Sequence, residues 1–196
     1  MKAEQINEIL ASGRIQVRKQ AIFKIDADRN DLENDFIQTF VGADRTFDKF
    51  INLPEYKQVI DWLLNNEGKG LFLTGSYGRG KSVIVNSVIP ILFQIYHNKV
   101  LTPVAARNLY RYTDYVKQWA YVIDDIGQES LSVKDFGTTD YPVINIISEC
   151  EDKMKLLILS SNLDKAELTA KYGERIVDRI NRLCKVVPFS GKSLRK

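Results

Sequence analysis

The sequence predicts an α/β fold in three layers: a mostly parallel five-stranded sheet with helices on both faces, preceded by a short helical N-terminal extension. Three observations carry this expectation. After Gly70, five short apolar runs alternate with longer helical segments, the pattern of strands buried on both faces. A glycine-rich octapeptide stands between the first of these runs and the helix that follows it. The 196 residues, 44% hydrophobic and 27% charged, match one ordinary domain whose core needs neither disulfides nor a structural metal.

The elements follow in chain order. Residues 1–45 are rich in charge and lack a strand pattern; Ile6, Ile9 and Leu10 suit one short helix face, and Leu32, Phe36 and Phe40 another. This extension is expected to contact a partner, and residues 46–196 to form the main domain. Residues 46–54 read as a connector, and Pro54 suits the first turn of a helix reaching about Asn66, with Tyr56, Val59, Ile60, Leu63 and Leu64 inward. Gly68 and Gly70 end it. Strands are then expected at 71–74, 100–105, 121–124, 155–159 and 184–189, and helices at 81–96, 108–119, 141–153 and 165–182.

Composition excludes several classes. Cys150, Cys184 and the single histidine, His97, stand apart with no zinc-ligand spacing. No stretch is long and apolar enough to span a membrane, and the charged start MKAEQINEIL is unlike a signal peptide, so a cytoplasmic protein with no membrane contact is expected. Lys and Arg total 28 against 25 acids, too small an excess to announce a nucleic-acid binder. Distribution says more: residues 165–196 carry nine basic and three acidic side chains, whereas residues 121–152 carry one basic and eight acidic. Such asymmetry suits DNA phosphate contact, head-to-tail packing of subunits, or solvated helix faces.

Gly75-Ser76-Tyr77-Gly78-Arg79-Gly80-Lys81-Ser82 satisfies the pattern G-x-x-x-x-G-K-[ST] at every fixed position. Glycines let backbone N–H groups curl around phosphate oxygens, and the helix opening at Ser82 and Val83 offers its positive end to the anion. Lys81 would reach the β- and γ-phosphates of ATP, and the Ser82 hydroxyl would be a Mg2+ ligand. Tyr121-Val-Ile-Asp124-Asp125 then ends an apolar strand in two carboxylates; Asp124 is expected on the magnesium side and Asp125 as the group that orients or deprotonates the attacking water. Asn162, after the apolar run 156–159, reads either as a contact to that water or the γ-phosphate, or as the N-cap of the next helix. Arg175, Arg179 and Arg182 share a helical flank, as an arginine finger for another subunit's nucleotide or as an exposed basic face. Tyr110, Tyr112, Tyr115 and Trp119, interleaved with Arg107, Arg111 and Lys117, suit base stacking or partial burial against the sheet.

Together these residues resemble the AAA+ ATPases of the DnaC/DnaI-type helicase loaders and the IstB-like transposition helpers. The likeness covers roughly residues 46–196 through Thr46-Phe-Asp-Lys-Phe50, the phosphate loop, Val122-Ile-Asp-Asp-Ile-Gly127, Ser160-Ser-Asn-Leu163, Tyr172-Gly-Glu-Arg-Ile-Val-Asp-Arg-Ile180 and Gly191-Lys-Ser-Leu-Arg195. It implies a sheet ordered 5-1-4-3-2 and ATP hydrolysis between adjacent subunits of a nucleotide-dependent homo-oligomer. It also implies Asn162 as sensor 1, Arg179 as the arginine finger, Arg195 as a sensor-2-like contact, and a replicative helicase or transposase-type partner. Two departures stand out. The interval between the second strand and the strand ending in Asp124-Asp125 has room for one helix, where loaders usually carry an additional one associated with single-stranded DNA, and the extension lacks a cysteine cluster. The expected function is ATP binding and hydrolysis in DNA replication or transposition; the alternatives are a nucleotide-gated interaction module and a P-loop small-molecule phosphotransferase.

Overall fold

Alternating side-chain direction along buried strands requires an apolar layer on each face of the sheet, and both are present. The structure, a computed structural model, describes residues 2–12, 22–44, 50–111, 118–135 and 138–194. The proposed motif residues Thr46 to Lys49, the candidates Tyr112, Tyr115 and Lys117, and Arg195 lie outside them. Among the described residues there are seven strands: β1 (Gly70–Gly75), β2 (Pro103–Ala105), β3 (Ala120–Asp124), β4 (Val133–Asp135), β5 (Thr138–Asp140), β6 (Leu156–Ser161) and β7 (Cys184–Phe189). Five of them form one parallel sheet in the order β2-β3-β6-β1-β7. Counted within that sheet alone and read from the β7 edge, the order is 5-1-4-3-2. The antiparallel pair β4 and β5 stands outside it as a hairpin that apolar periodicity did not predict, because its VKD and TTD strands are short and polar.

On one face, Leu71, Leu73, Val122, Ile158 and Val187 meet three helical elements: α2 (Arg29–Ala43), α3 (Pro54–Leu64) and α5 (Ile89–His97). Leu32, Phe36 and Phe40 of α2 are buried there, so part of the charged N-terminal segment supplies core to the sheet. On the other face Phe72, Tyr121, Ile123, Leu157 and Leu159 meet α6 (Pro142–Lys153), α7 (Lys165–Tyr172) and α8 (Glu174–Leu183). A further helix, α1 (Lys2–Ala11), carries Ile6 on an exposed surface.

Three expected helices are modified. The helix after the glycine loop begins as α4 (Lys81–Val83), widens into a π turn at Ile84–Val88 and continues as α5. The single helix expected over 165–182 is two, α7 and α8, separated at Gly173. The helix expected over 108–119 is replaced at its start by a 3-10 turn, Ala106–Arg111, and Trp119 lies outside any helix. Trp119 instead packs on Phe23 with ring centroids 5.5 Å apart, and Lys99 sits 4.6 Å above it. Trp119 remains 37% exposed, and these ring and cation contacts hold it outside a helix.

Candidate active site

β1 delivers the chain to Gly75, and Ser76–Gly80 turns it into α4. The Ser76 N–H donates to Phe189 O at the end of β7 over 2.9 Å, so the loop hangs between two strand ends. Gly80 has φ +87°, and a Cβ there would come within 2.7 Å of the Phe40 ring and 2.8 Å of the Tyr56 hydroxyl. Only glycine fits. Phe40 from α2 and Tyr56 from α3 therefore floor the loop, and the Tyr56 hydroxyl donates to Arg79 O at 3.0 Å.

Lys81 is buried, and its ammonium donates to Gly75 O at 2.7 Å, Ser76 O at 2.8 Å and Asn162 Oδ1 at 2.8 Å. Those three acceptors outline a cradle for a cation, which an arriving anion would have to share or replace. Asn162 is bifunctional: its Nδ2 donates to Asp125 Oδ1 at 2.7 Å. The N-cap of α7 is Asp164, in a capping box with Glu167, so the capping alternative for Asn162 does not hold.

The two acids end β3 differently. Asp124 is buried; its Oδ1 accepts from the Ser160 hydroxyl at 2.5 Å and its Oδ2 from Asn86 Nδ2 at 2.8 Å. Asp125 takes φ +65°, which breaks the pleat, and its N–H donates to the same Ser160 hydroxyl at 2.8 Å. Burial, followed by the neighbouring Asp124 carboxylate, pushes the Asp125 carboxyl above the ordinary range, against Lys81, Asn162 and Arg107. A small cleft lined by Ala105, Ala106, Arg107, Asp124, Asp125 and Gln128 gives these acids access to solvent. It shares Ala106 and Arg107 with a cleft of about 370 Å³ that reaches Tyr110 and Glu129.

No protein-family model matches the sequence, and no curated protein is significantly similar to it. Solved structures are. The chain is similar to a DnaC helicase loader at 18% identity and TM-score 0.57, over 77% of this chain and 98% of that one. It is similar to DnaI at 18% identity and TM-score 0.55, over 85% and 96% respectively. AMPPCP-bound DnaA from Aquifex aeolicus shares 18% identity at TM-score 0.52, over 72% of this chain and 48% of that one. The chain shares the three-layer α/β fold of these proteins.

Within this fold, Lys81, Asn162, Asp125 and Asp124 lie together at one sheet edge, joined through hydrogen bonds. Ser82 and Val83 occupy the first turn of α4, Ser82 half-buried. Asp124 and the Ser82 hydroxyl offer the hard oxygens that a Mg2+ ion takes, and each Asp124 oxygen keeps a lone pair beyond its one hydrogen bond, so this donor set fits the ion. Arg179 is elsewhere: its Nη1 donates to Ser148 Oγ at 2.8 Å and its Nε pairs with Glu151 at 2.8 Å, both on α6. Arg175, one turn earlier on α8, is exposed.

Two residues of this cluster escaped the sequence reading. Ser160 stands in the motif Ser160-Ser-Asn-Leu163 without an assigned role; its burial between both acids, at 1% exposure, is a tertiary fact. Asn86 had a local signal, since it lies one turn beyond Ser82 as a polar residue in an apolar helix. The π turn holding it brings its amide to Asp124.

Proposed function

We propose that this protein binds ATP with Mg2+ at residues 75–83 and hydrolyses the γ-phosphate, as a helicase-loader-like AAA+ factor in DNA replication or transposition. The observation that carries the reading is the hydrogen-bonded path Lys81–Asn162–Asp125 beside Asp124. Bound nucleotide exchanges the Gly75 and Ser76 carbonyls for phosphate oxygens at the Lys81 ammonium, while loop N–H groups and the first turn of α4 meet the remaining charge. Ser82 and Asp124 would hold Mg2+, which supplies neutralisation of the phosphates when bound. Asp125 accepts the proton of the attacking water, and Asn162 holds that carboxylate and the Lys81 ammonium in register.

The remaining roles follow the same reading. Residues 1–45 serve as the partner-contacting extension, with Leu32, Phe36 and Phe40 of α2 packed into the core of residues 46–196, the ATPase unit. A neighbouring subunit supplies an arginine from α8; Arg175 is free to reach outward, whereas Arg179 must first leave Ser148 and Glu151. Arg195 follows Leu194, whose N–H donates to Gly78 O, and acts as the sensor-2-like contact. The partner is a replicative helicase, in keeping with the fold shared with a helicase loader, or a transposase-type protein; single-stranded DNA would have to bind without the additional helix that loaders carry. A specific observation favours a second reading, a nucleotide-gated interaction module: the Asp125 carboxylate already accepts a hydrogen bond from Asn162 Nδ2, and its side chain is short.

Calorimetric titration with ATP in the presence and absence of Mg2+ tests the site. Binding is expected for the wild type, with loss in Lys81→Ala at unchanged circular dichroism. A wild type that takes up no ATP would overturn the nucleotide reading, and binding without phosphate release would select the gated module.

A further inference from the structure

We infer that Glu55, at the start of α3, is a positioning residue of the nucleotide site, acting through Arg79 and the strap formed by residues 190–194. The inference rests on the nucleotide reading above. A basic residue inside a phosphate loop is ordinarily read as a phosphate contact, but the Arg79 guanidinium is engaged within the protein. Its Nη2 donates to Glu55 Oε1 at 2.9 Å, with side-chain exposures of only 9% and 7%. The same Glu55 oxygen accepts the Ser190 N–H at 3.2 Å, and Arg79 Nη1 donates to Lys192 O at 3.4 Å.

The strap touches the loop directly as well. The Leu194 N–H donates to Gly78 O at 2.9 Å, and Ser193 Oγ lies 2.0 Å from where a Cβ on Gly78 would stand. Gly78 thus gives way to the strap, and Arg79 is fixed from both sides, by Glu55 at its guanidinium and by the Tyr56 hydroxyl at its carbonyl. Burial alone would raise the Glu55 carboxyl, yet its own and the Ser190 amide and the Arg79 guanidinium hold it below the ordinary range, so it is the charged form that organises these groups. A buried ion pair is weak evidence for stability, because desolvation offsets its attraction. Its placement is the stronger clue. Glu55, Arg79 and the strap restrict the two residues before Gly80-Lys81, and a loop ordered in advance binds its anion without the entropy of ordering.

The test uses the full chain, measuring the ATP dissociation constant with Mg2+, kcat, and Tm. Wild-type binding is established first; its absence would overturn both the nucleotide reading and this one. With binding present, Glu55→Gln is expected to raise Kd about tenfold while kcat stays within about twofold, the split of a group that positions but does not react. Glu55→Met combined with Arg79→Met guards against misfolding, since an apolar pair leaves no lone buried charge. This double variant is expected to keep the wild-type Tm yet retain the raised Kd, because the strap contacts of both side chains are gone. Truncation after Phe189, which leaves β7 whole, is expected to raise Kd beyond the change in Arg195→Ala, which keeps the strap. A double variant that recovers wild-type Kd along with Tm, or a truncation that binds ATP as Arg195→Ala does, would reduce the pair to a structural element and overturn the inference.

Discussion

Asn162 is the side chain on which the two halves of the site meet, accepting from Lys81 and donating to Asp125. Asp124 and Asp125 differ in a way that substitution should expose. Asp125→Asn is expected to bind ATP with Mg2+ and hydrolyse it at least about a hundredfold more slowly, whereas Asp124→Asn should lose the magnesium dependence of binding; titrations with and without Mg2+ beside phosphate release distinguish them. Protonation offers a second handle. If Asp125 activates the water as proposed, turnover falls as pH drops through its pKa; burial and Asp124 raise that pKa, and the acid limb of the kcat profile is expected above the ordinary carboxylate range. Arg107 opposes the shift, so Arg107→Gln should move the limb to still higher pH. The placement of Lys81, Asp124 and Asp125 together was legible because it attaches to a fixed spacing and a strand end. Ser160 was not, because one hydroxyl serving two acids depends on β3 and β6 being neighbours, which no local pattern encodes.

At the scale of elements, the turn between α7 and α8 is tied to the loop that follows Asp125. The Lys171 ammonium donates to Gly127 O at 2.6 Å and Glu129 O at 2.5 Å, and the Tyr172 hydroxyl donates to the Glu129 carboxylate. The helix carrying Arg175 and Arg179 is thereby anchored to the acidic loop of its own chain. The two arginines should then separate on substitution. Arg179→Ala removes a hydrogen bond and an ion pair to α6 and is expected to cost about 1 kcal/mol of stability, read from urea unfolding. Arg175→Ala should leave stability unchanged and lower ATP turnover if it is the residue reaching a neighbour. Central strands were legible from their apolar runs, and β7 falls where expected at 184–189. The break at Gly173 was not read because apolar residues recur at helical spacing on both sides of it. The hairpin β4 and β5 was missed because its residues are polar and its pairing is local.

Over the whole molecule, the acidic stretch 121–152 includes Asp124 and Asp125 at one sheet edge, while the basic stretch 165–196 includes α8 and the strap. A heterologous contact between copies would bring one subunit's basic α8 face to the next subunit's nucleotide edge. ATPase activity per subunit is then expected to rise with protein concentration. Mixing Lys81→Ala subunits, which keep Arg175, with Arg175→Ala subunits, which keep Lys81, should restore turnover that neither shows alone; no restoration would make each site self-contained. All of this presupposes hydrolysis at the loop that holds Lys81. Steady-state phosphate release by the wild type and by Lys81→Ala, purified in parallel and compared at equal concentration, addresses it most directly. Magnesium-dependent release by the wild type with none above background in Lys81→Ala is the expected result, and equal release by the two proteins would contradict it.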